Sequence, residues 1–173
     1  MMRLNKWIIG LCAVLTLSMP LTVFASDSTN FVKEEKIQEE ELIIEHLTPQ
    51  EAERLYKELF GESNLNQRSS LGTCDIGLSN SNGKLLVVYS TACRGVASKI
   101  GVRNFTLQHK DGLFWSNITV KNEYAENTDA FFGGFYITNP VAGRGYRANC
   151  THYAVIGGTE TSMYTATDTY TFK

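Results

Sequence analysis

The stretch of sequence that decides the fold of this chain is Asn80-Ser81-Asn82-Gly83-Lys84-Leu85-Leu86-Val87-Val88-Tyr89. Its Asn-Gly pair suits a tight hairpin turn, because both residues tolerate the positive φ angles that such a turn requires. The apolar run after the turn is typical of a β-strand. The stretch therefore predicts an antiparallel hairpin, with one strand ending near Ser79 and the other running to Thr91.

Short apolar runs separated by turn residues continue from this hairpin to the C-terminus. The predicted strands cover residues 73–79, 84–91, 99–109, 113–120, 130–138, 146–156 and 160–172. Seven short strands with frequent turn signals are typical of an antiparallel sandwich. We therefore predict one mainly β domain over residues 72–173, a seven-stranded antiparallel immunoglobulin-like β-sandwich, with a small β-barrel as the alternative.

One predicted strand contains an irregularity. Between residues 99 and 109 the apolar positions change from even to odd numbers after Val102. An unbroken strand with this pattern would turn its apolar face to water. We therefore expect a β-bulge near Arg103 and Asn104.

Residues 48–61 carry the pattern of an amphipathic helix. Thr48 is a favourable N-cap, Pro49 suits the first helical position and Glu51 completes a capping box. Gly61 is the expected end of the helix. The helix presents one apolar stripe, made of Ala52, Leu55, Tyr56, Leu59 and Phe60. Such a short helix needs a partner in water, and we expect the β domain to provide it, with another protein as the alternative.

The first 25 residues have the layout of a secretory signal peptide. Arg3 and Lys6 precede an uncharged apolar run over residues 7–17, Pro20 ends it, and small residues precede a cleavage point after Ala25. The apolar run is too short for a membrane-spanning helix. We therefore predict a secreted, extracellular protein that contacts the membrane only through this segment before cleavage.

The charged residues that follow the predicted signal peptide are unevenly distributed along the chain. Residues 26–71 hold 11 acidic and 5 basic residues, a net charge of −6, whereas residues 72–173 hold 7 acidic and 9 basic residues, a net charge of +2. We interpret residues 26–47 as an acidic flexible leader, either a tether or a removable pro-segment. Neither part has the basic stripe of a nucleic-acid-binding protein, so no nucleic-acid partner is expected.

Signal-peptide cleavage removes Cys12 and leaves an odd number of cysteines, Cys74, Cys93 and Cys150. Cys93 ends the second predicted strand and Cys150 lies on the sixth, and these strands face each other in an immunoglobulin-like sandwich. A Cys93–Cys150 disulfide is therefore predicted, with no intrachain bond as the alternative. The chain has no Cys-x-x-Cys motif or Cys/His cluster, so neither a metal nor a cofactor is expected.

The sequence contains no recognised catalytic motif, and no catalytic residues are predicted. His152 shares a strand face with Cys150, but alternate residues of a strand diverge, which makes a poor nucleophile–base pair. His152 is therefore expected in the core. Aromatic and arginine side chains of the later strands instead suit the rim of a binding surface. These candidate binding residues are Trp115, Arg144, Tyr146, Arg147 and Tyr153.

Three stretches carry a resemblance to a known family. They are residues 99–108, the turn from Asp111 to Trp115, and residues 145–152 with the following Thr-Glu-Thr. Together they resemble a family of small secreted β-domain proteins of Gram-positive bacteria that has no assigned function. Ala148 and Cys150 replace the valine and glycine of the family pattern, and two residues separate Gly112 from Trp115. The resemblance implies a secreted β domain and no catalytic residues.

We therefore predict a non-enzymatic binding module at the bacterial cell surface or in the medium. Its partner is expected to be a cell-wall polymer, a glycan or a protein. Two alternatives stay open. One is a small secreted hydrolase with an unrecognised site, and the other is a toxin or bacteriocin-like factor that the acidic leader keeps inactive.

Overall fold

The computed structural model of the protein describes residues 42–61 and 71–173, so the predicted signal peptide and most of the acidic leader lie outside the described residues. Within these ranges the chain forms one helix, α1 (Pro49–Phe60), and ten strands. The strands are β1 (Ile44–His46), β2 (Leu71–Ser81), β3 (Lys84–Ala97), β4 (Lys99–Asp111), β5 (Phe114–Thr119), β6 (Glu123–Ala125), β7 (Thr128–Ile137), β8 (Gly145–Ile156), β9 (Thr159–Ala166) and β10 (Tyr170–Thr171). No helix in these ranges combines the length and the apolar character needed to cross a membrane.

The strands form two antiparallel sheets. A four-stranded sheet has the order β1-β7-β3-β2. In a six-stranded sheet β4 pairs with β8, β5 and β6 share the other edge of β4, and β9 and β10 share the other edge of β8. Apolar side chains of both sheets form one buried core, and the described strands do not close into a barrel. The prediction of a mainly β, antiparallel fold with one helix is confirmed.

The structure has ten strands in its described ranges instead of the predicted seven. The three additional strands, β1, β6 and β10, contain only two or three residues each. They are too short to show an alternating pattern, and backbone pairing with a longer neighbour defines them. The predicted strand over residues 160–172 is accordingly divided into β9 and β10.

The hairpin turns follow the local sequence. Asn82 and Gly83 have φ angles of 53° and 78°, and Ser81 pairs with Lys84, as in a two-residue turn with positive φ at both central positions. Cys74 consequently lies opposite Thr91. The turn is therefore centred on Asn82 and Gly83, the Asn-Gly pair of the sequence.

The predicted bulge in β4 is confirmed. The register between β4 and β8 shifts between Arg103 and Thr106, and Asn104 has a φ of 52°. The Asn104 backbone N–H, which leaves the ladder at this point, donates to the Asn122 side chain at 2.9 Å. The bulge restores the apolar face, so that Val102 and Phe105 are both buried.

The apolar run of β3 is continuous because both faces of this strand are buried. Leu85, Val87 and Tyr89 point into the core between the sheets. Leu86 and Val88 point to the opposite face, where α1 covers them. Strand β3 therefore packs against the six-stranded sheet on one face and against α1 on the other.

Helix α1 begins with the predicted capping box, since Thr48 and Glu51 each bond the other's backbone N–H. Its apolar stripe packs on the β domain, with Leu55 and Tyr56 buried against β3 and β7. At its C-terminal end the Phe60 ring lies over Gly77 of β2, where a Cβ would approach the ring to 2.6 Å. The expectation that the β domain covers the helix is confirmed.

Gly101 lies where β4 meets β6, and a side chain there has no room. A Cβ would lie 2.6 Å from the Cα of Tyr124 and in collision with the carbonyl of Glu123, both backbone atoms that cannot rotate away. We predict that Gly101→Ala lowers the free energy of unfolding by about 1–3 kcal/mol. Urea denaturation measures this value.

Gly72→Ala is the matched control, because a Cβ at Gly72 would make an ordinary 3.5 Å contact with the Ala92 carbonyl. Its effect should stay within about 0.5 kcal/mol of zero or slightly stabilise the strand. Equal stability of the two variants would contradict the close approach of β6 to β4.

Candidate functional site

A buried chain of hydrogen bonds connects the two sheets through His152. The imidazole Nδ1 lies 2.7 Å from Thr91 Oγ1 of β3, and Nε2 lies 2.8 Å from Thr165 Oγ1 of β9. Cys150 Sγ lies 3.3 Å from the same Nε2. His152 and Cys150 are both fully buried. The expectation that His152 is a core residue is confirmed.

The partners of Thr91 assign the tautomer of His152. Thr91 Oγ1 donates its only proton to the Gly101 carbonyl at 3.1 Å, so it accepts from the imidazole. Nδ1 therefore carries the proton, and Nε2 accepts from the Thr165 hydroxyl. Every nitrogen of the neutral ring is satisfied in this arrangement.

The thiol and the imidazole are in contact, but neither is activated. Burial raises the pKa of Cys150 to about 12 and lowers the pKa of His152 to about 4. Nucleophilic cysteines need the opposite shifts, toward a thiolate beside an imidazolium. The sequence argument that alternate side chains diverge was wrong about the distance, because both rotamers converge on Thr165. The pair nevertheless serves packing and hydrogen bonding.

The predicted Cys93–Cys150 disulfide is absent, and Cys74, Cys93 and Cys150 are all free thiols. Cys150 points into the core toward His152. Cys93 lies near the end of β3, where the register with β7 is lost, and its Sγ donates to the Gly95 carbonyl. Cys93 packs against the edge of the core, but Cys150 lies inside it with its Sγ against His152, so the two cysteines are not joined.

A hydrogen-bonded row of polar side chains crosses the outer face of the six-stranded sheet. Arg147 of β8 donates through Nε to Gln108 of β4, which in turn donates to Asn117 of β5 at 2.6 Å. The backbone register places these three residues side by side. Trp115 lies next to the row, with the Arg147 guanidinium 4.1 Å from its ring. We call these four residues the Trp115–Arg147 face.

The basic character of the face extends to the loop before β8. The Arg144 guanidinium lies 3.5 Å from His109 Nδ1. It borders an open depression of about 300 Å³, which is lined by Lys110, Asp111, Gly112, Gly143, Arg144 and Gly145. A Cβ at Gly145 would approach the Trp115 ring to 3.7 Å, so this depression adjoins the Trp115–Arg147 face.

The structure places the two candidate tyrosines differently from Trp115, Arg144 and Arg147. Tyr146 is fully buried, and its hydroxyl accepts from the Val141 backbone N–H at 3.0 Å. Tyr153 is 7% exposed, with the Arg103 guanidinium 5.1 Å from its ring. Neither ring offers its face to a ligand. The alternation along β8 puts Tyr146 on the buried face together with Cys150 and His152, and Tyr153 on the opposite face with Arg147.

Sequence reasoning did not predict a second polar group around Glu123 of β6. The Tyr89 hydroxyl donates to Glu123 Oε2 at 2.7 Å, and His46 Nδ1 lies 3.2 Å from Oε1. These residues come from β3, β6 and β1, so no local motif could connect them. Across residues 42–61 and 71–173, no group of three or more His, Cys, Asp or Glu side chains is arranged to hold a metal ion.

No protein-family model, no curated protein and no solved structure matches this chain. The resemblance to small secreted β-domain proteins therefore stays a prediction from the sequence.

His152 should make the stability of the protein dependent on pH. Its pKa falls from 6.5 in the unfolded chain to about 4 in the folded protein. The stabilisation is complete above about pH 6.5 and is lost as pH falls through about 4, because the unfolded chain binds the proton first. The loss amounts to about 3 kcal/mol. Urea unfolding of the wild type and His152→Gln over this range measures it.

The wild type should lose more stability than His152→Gln between pH 6.5 and 4. Gly72→Ala, which leaves His152 in place, is the control and should keep the wild-type pH dependence. Parallel pH profiles of wild type and His152→Gln would contradict the assignment.

The free thiols should differ in reactivity. Cys150 is fully buried with a raised pKa, whereas Cys93 is partly exposed. Iodoacetamide should therefore alkylate Cys150 about 100-fold or more slowly than Cys93 in the folded protein, and both equally in denaturant. Mass spectrometry of unreduced peptides measures both reactions. A Cys93–Cys150 linked peptide would contradict the structure.

Proposed function

We propose that this chain is an exported, non-catalytic binding module and that the Trp115–Arg147 face binds an anionic cell-wall polymer or glycan at the bacterial surface or in the medium. Export rests on the signal-peptide pattern of the first 25 residues. The binding face rests on the geometry of the six-stranded sheet.

The single observation that carries the proposal is the row from Arg147 through Gln108 to Asn117. The hydrogen bonds from Arg147 to Gln108 and from Gln108 to Asn117 hold the three side chains in place on an open sheet surface. Rigid polar groups lose little conformational entropy when a ligand binds, which favours affinity. Amide groups in a row beside an indole ring suit sugar rings, which present hydroxyl groups at their edges and apolar C–H groups on their faces.

The charge of Arg147 favours an anionic ligand. Within the described ranges its guanidinium has no ion-pair partner, whereas Arg103 on the same sheet is paired with Glu160 at 2.7 Å. A guanidinium binds carboxylate and phosphate groups with two parallel hydrogen bonds. Lys110 and Arg144 border the adjoining depression, with Asp111 as its acidic residue. This end of the sheet therefore suits polymers with carboxylate or phosphate groups.

We also propose that the sandwich is immunoglobulin-like. Without the three shortest strands, the sheet orders are β2-β3-β7 and β5-β4-β8-β9. Lettered in chain order as A, B, C, C′, E, F and G, these strands read A-B-E and C′-C-F-G. Immunoglobulin-like sandwiches have the same neighbours. The Trp115–Arg147 face then belongs to the C′-C-F-G sheet.

The hydrolase and toxin alternatives have no specific observation in their favour among the described residues. Glycoside hydrolysis uses two carboxyl groups in one cleft. The cleft that contains Glu123 has a single carboxylate among its lining residues.

Removal of Arg147 should weaken polymer binding. We predict that Arg147→Gln lowers retention on purified cell walls and on isolated anionic polysaccharide by about tenfold, because a charge-assisted hydrogen-bond pair is lost. Trp115→Ala should weaken binding to a similar extent, and added salt should weaken wild-type binding. Co-sedimentation at several protein concentrations measures the affinities.

The matched control is Arg54→Gln on α1, which removes the same charge from an exposed Arg54–Glu58 pair away from the six-stranded sheet. It should bind as the wild type does. Equal affinities of Arg147→Gln and the wild type, or no retention of the wild type, would contradict the proposal.

A further inference from the structure

We infer that the cleft beside Glu123 is a second binding site and that it takes an organic cation with a primary ammonium group, such as a lysine side chain. The cleft lies between the segment that joins β1 to α1 and strands β6 and β7. It has a volume of about 370 Å³, and its rim includes Leu47, Asn122, Glu123, Tyr124 and Phe132. Small-ligand sites have volumes of this order and combine apolar walls with a few polar groups.

Glu123 supplies the negative charge of the cleft, and its position is fixed from behind. Its Oε2 accepts from the Tyr89 hydroxyl at 2.7 Å. The Tyr89 ring is fully buried against Phe105, with the ring centroids 4.9 Å apart. The carboxylate therefore rests on a rigid core residue, and a ligand that binds it does not need to order it first.

Gly133 of β7 makes the space for this arrangement. A Cβ at Gly133 would collide with the Tyr89 ring and would lie 2.9 Å from Glu123 Oε2. Glycine in the interior of a strand has a cost in stability, and it often marks a position that a ligand or another backbone approaches closely. The missing side chain lets the Tyr89 hydroxyl and the Glu123 carboxylate meet at the wall of the cleft.

The charge of Glu123 is not neutralised by a lysine or arginine among the described residues. Its ion-pair partner there is His46, whose Nδ1 lies 3.2 Å from Oε1 and which is charged only when protonated. The Glu123 side chain keeps 29% of its surface exposed. A carboxylate on a partly exposed side chain, held in a partly apolar cleft, attracts a cation more strongly than one in open water.

Aromatic residues contribute to the wall of the cleft, since Phe131 and Phe132 are among the residues that line it. The Tyr124 side chain lies on the other face of β6, where Lys99 Nζ is 3.8 Å from its ring centroid, so the Glu123 carboxylate is the group that attracts the cation. A primary ammonium also has three N–H donors for the Glu123 oxygens, which a quaternary ammonium lacks.

This site is separate from the Trp115–Arg147 face. β6 pairs with Ile100–Val102 near one end of β4, whereas Trp115 pairs with Lys110 near the other end. At about 3.3 Å per residue, these positions are roughly 25–30 Å apart along the strand. The two binding proposals can therefore be tested independently of each other.

The test is a titration of the full secreted chain with n-butylammonium, followed by ¹H–¹⁵N correlation spectra. We expect saturable shifts of the amides of residues 122–124 and 131–133, and none with neutral butyramide. Nα-acetyl-lysine amide distinguishes a lysine side chain from a free small amine as the natural ligand, by which of the two binds more tightly. Shifts that are absent, or equal with butyramide, would overturn the inference.

Glu123→Gln keeps an acceptor for Tyr89 and removes the charge, so it should weaken n-butylammonium binding by about tenfold. Glu126→Gln, an exposed carboxylate on the neighbouring turn, is the matched control and should bind as the wild type does. His46→Lys, at a half-exposed side chain that contacts Glu123, places an ammonium group beside the carboxylate and should also weaken binding, which gives a second test if Glu123→Gln lowers the melting temperature. Wild-type affinity in both Glu123→Gln and His46→Lys would overturn the inference, whereas their polymer retention should be unchanged.

Discussion

The buried hydrogen bonds of His152 are the constraint on which the rest of the structure depends. Thr91 of one sheet is hydrogen-bonded to Nδ1 of His152 in the other sheet, and the Thr165 hydroxyl is hydrogen-bonded to Nε2. An unsatisfied imidazole in this core would have a large cost in free energy. The two sheets therefore have one favourable relative position, in which the register of β3, β8 and β9 brings all three side chains together. Apolar packing alone is less selective, since apolar contacts are not directional.

That position has consequences on both outer surfaces of the sandwich. Since β8 turns Cys150 and His152 inward, Arg147 points outward beside Gln108 and Trp115. On the other sheet, β3 turns Tyr89 inward to reach Glu123, while its opposite face receives α1. The two proposed binding sites are thus produced by the same alternation of side chains that builds the core.

Local signals predicted the elements whose causes are local. The Asn82–Gly83 turn, the capping box of α1 and the bulge at Asn104 each depend on a few neighbouring residues, and all three are present. The absence of a Cys93–Cys150 disulfide and the group around Glu123 were beyond the reach of such signals, because each depends on residues far apart in sequence.

The sequence by itself determined that the chain after residue 71 forms short antiparallel strands, because period-two patterns and turn residues act over a few positions. It also determined the position of α1 and its apolar stripe. Only the tertiary structure decided which surfaces those strands present. The contact between Thr91 and His152 spans 61 residues of sequence, and that between Tyr89 and Glu123 spans 34. Such contacts arise from the packing of two sheets, which no local pattern encodes.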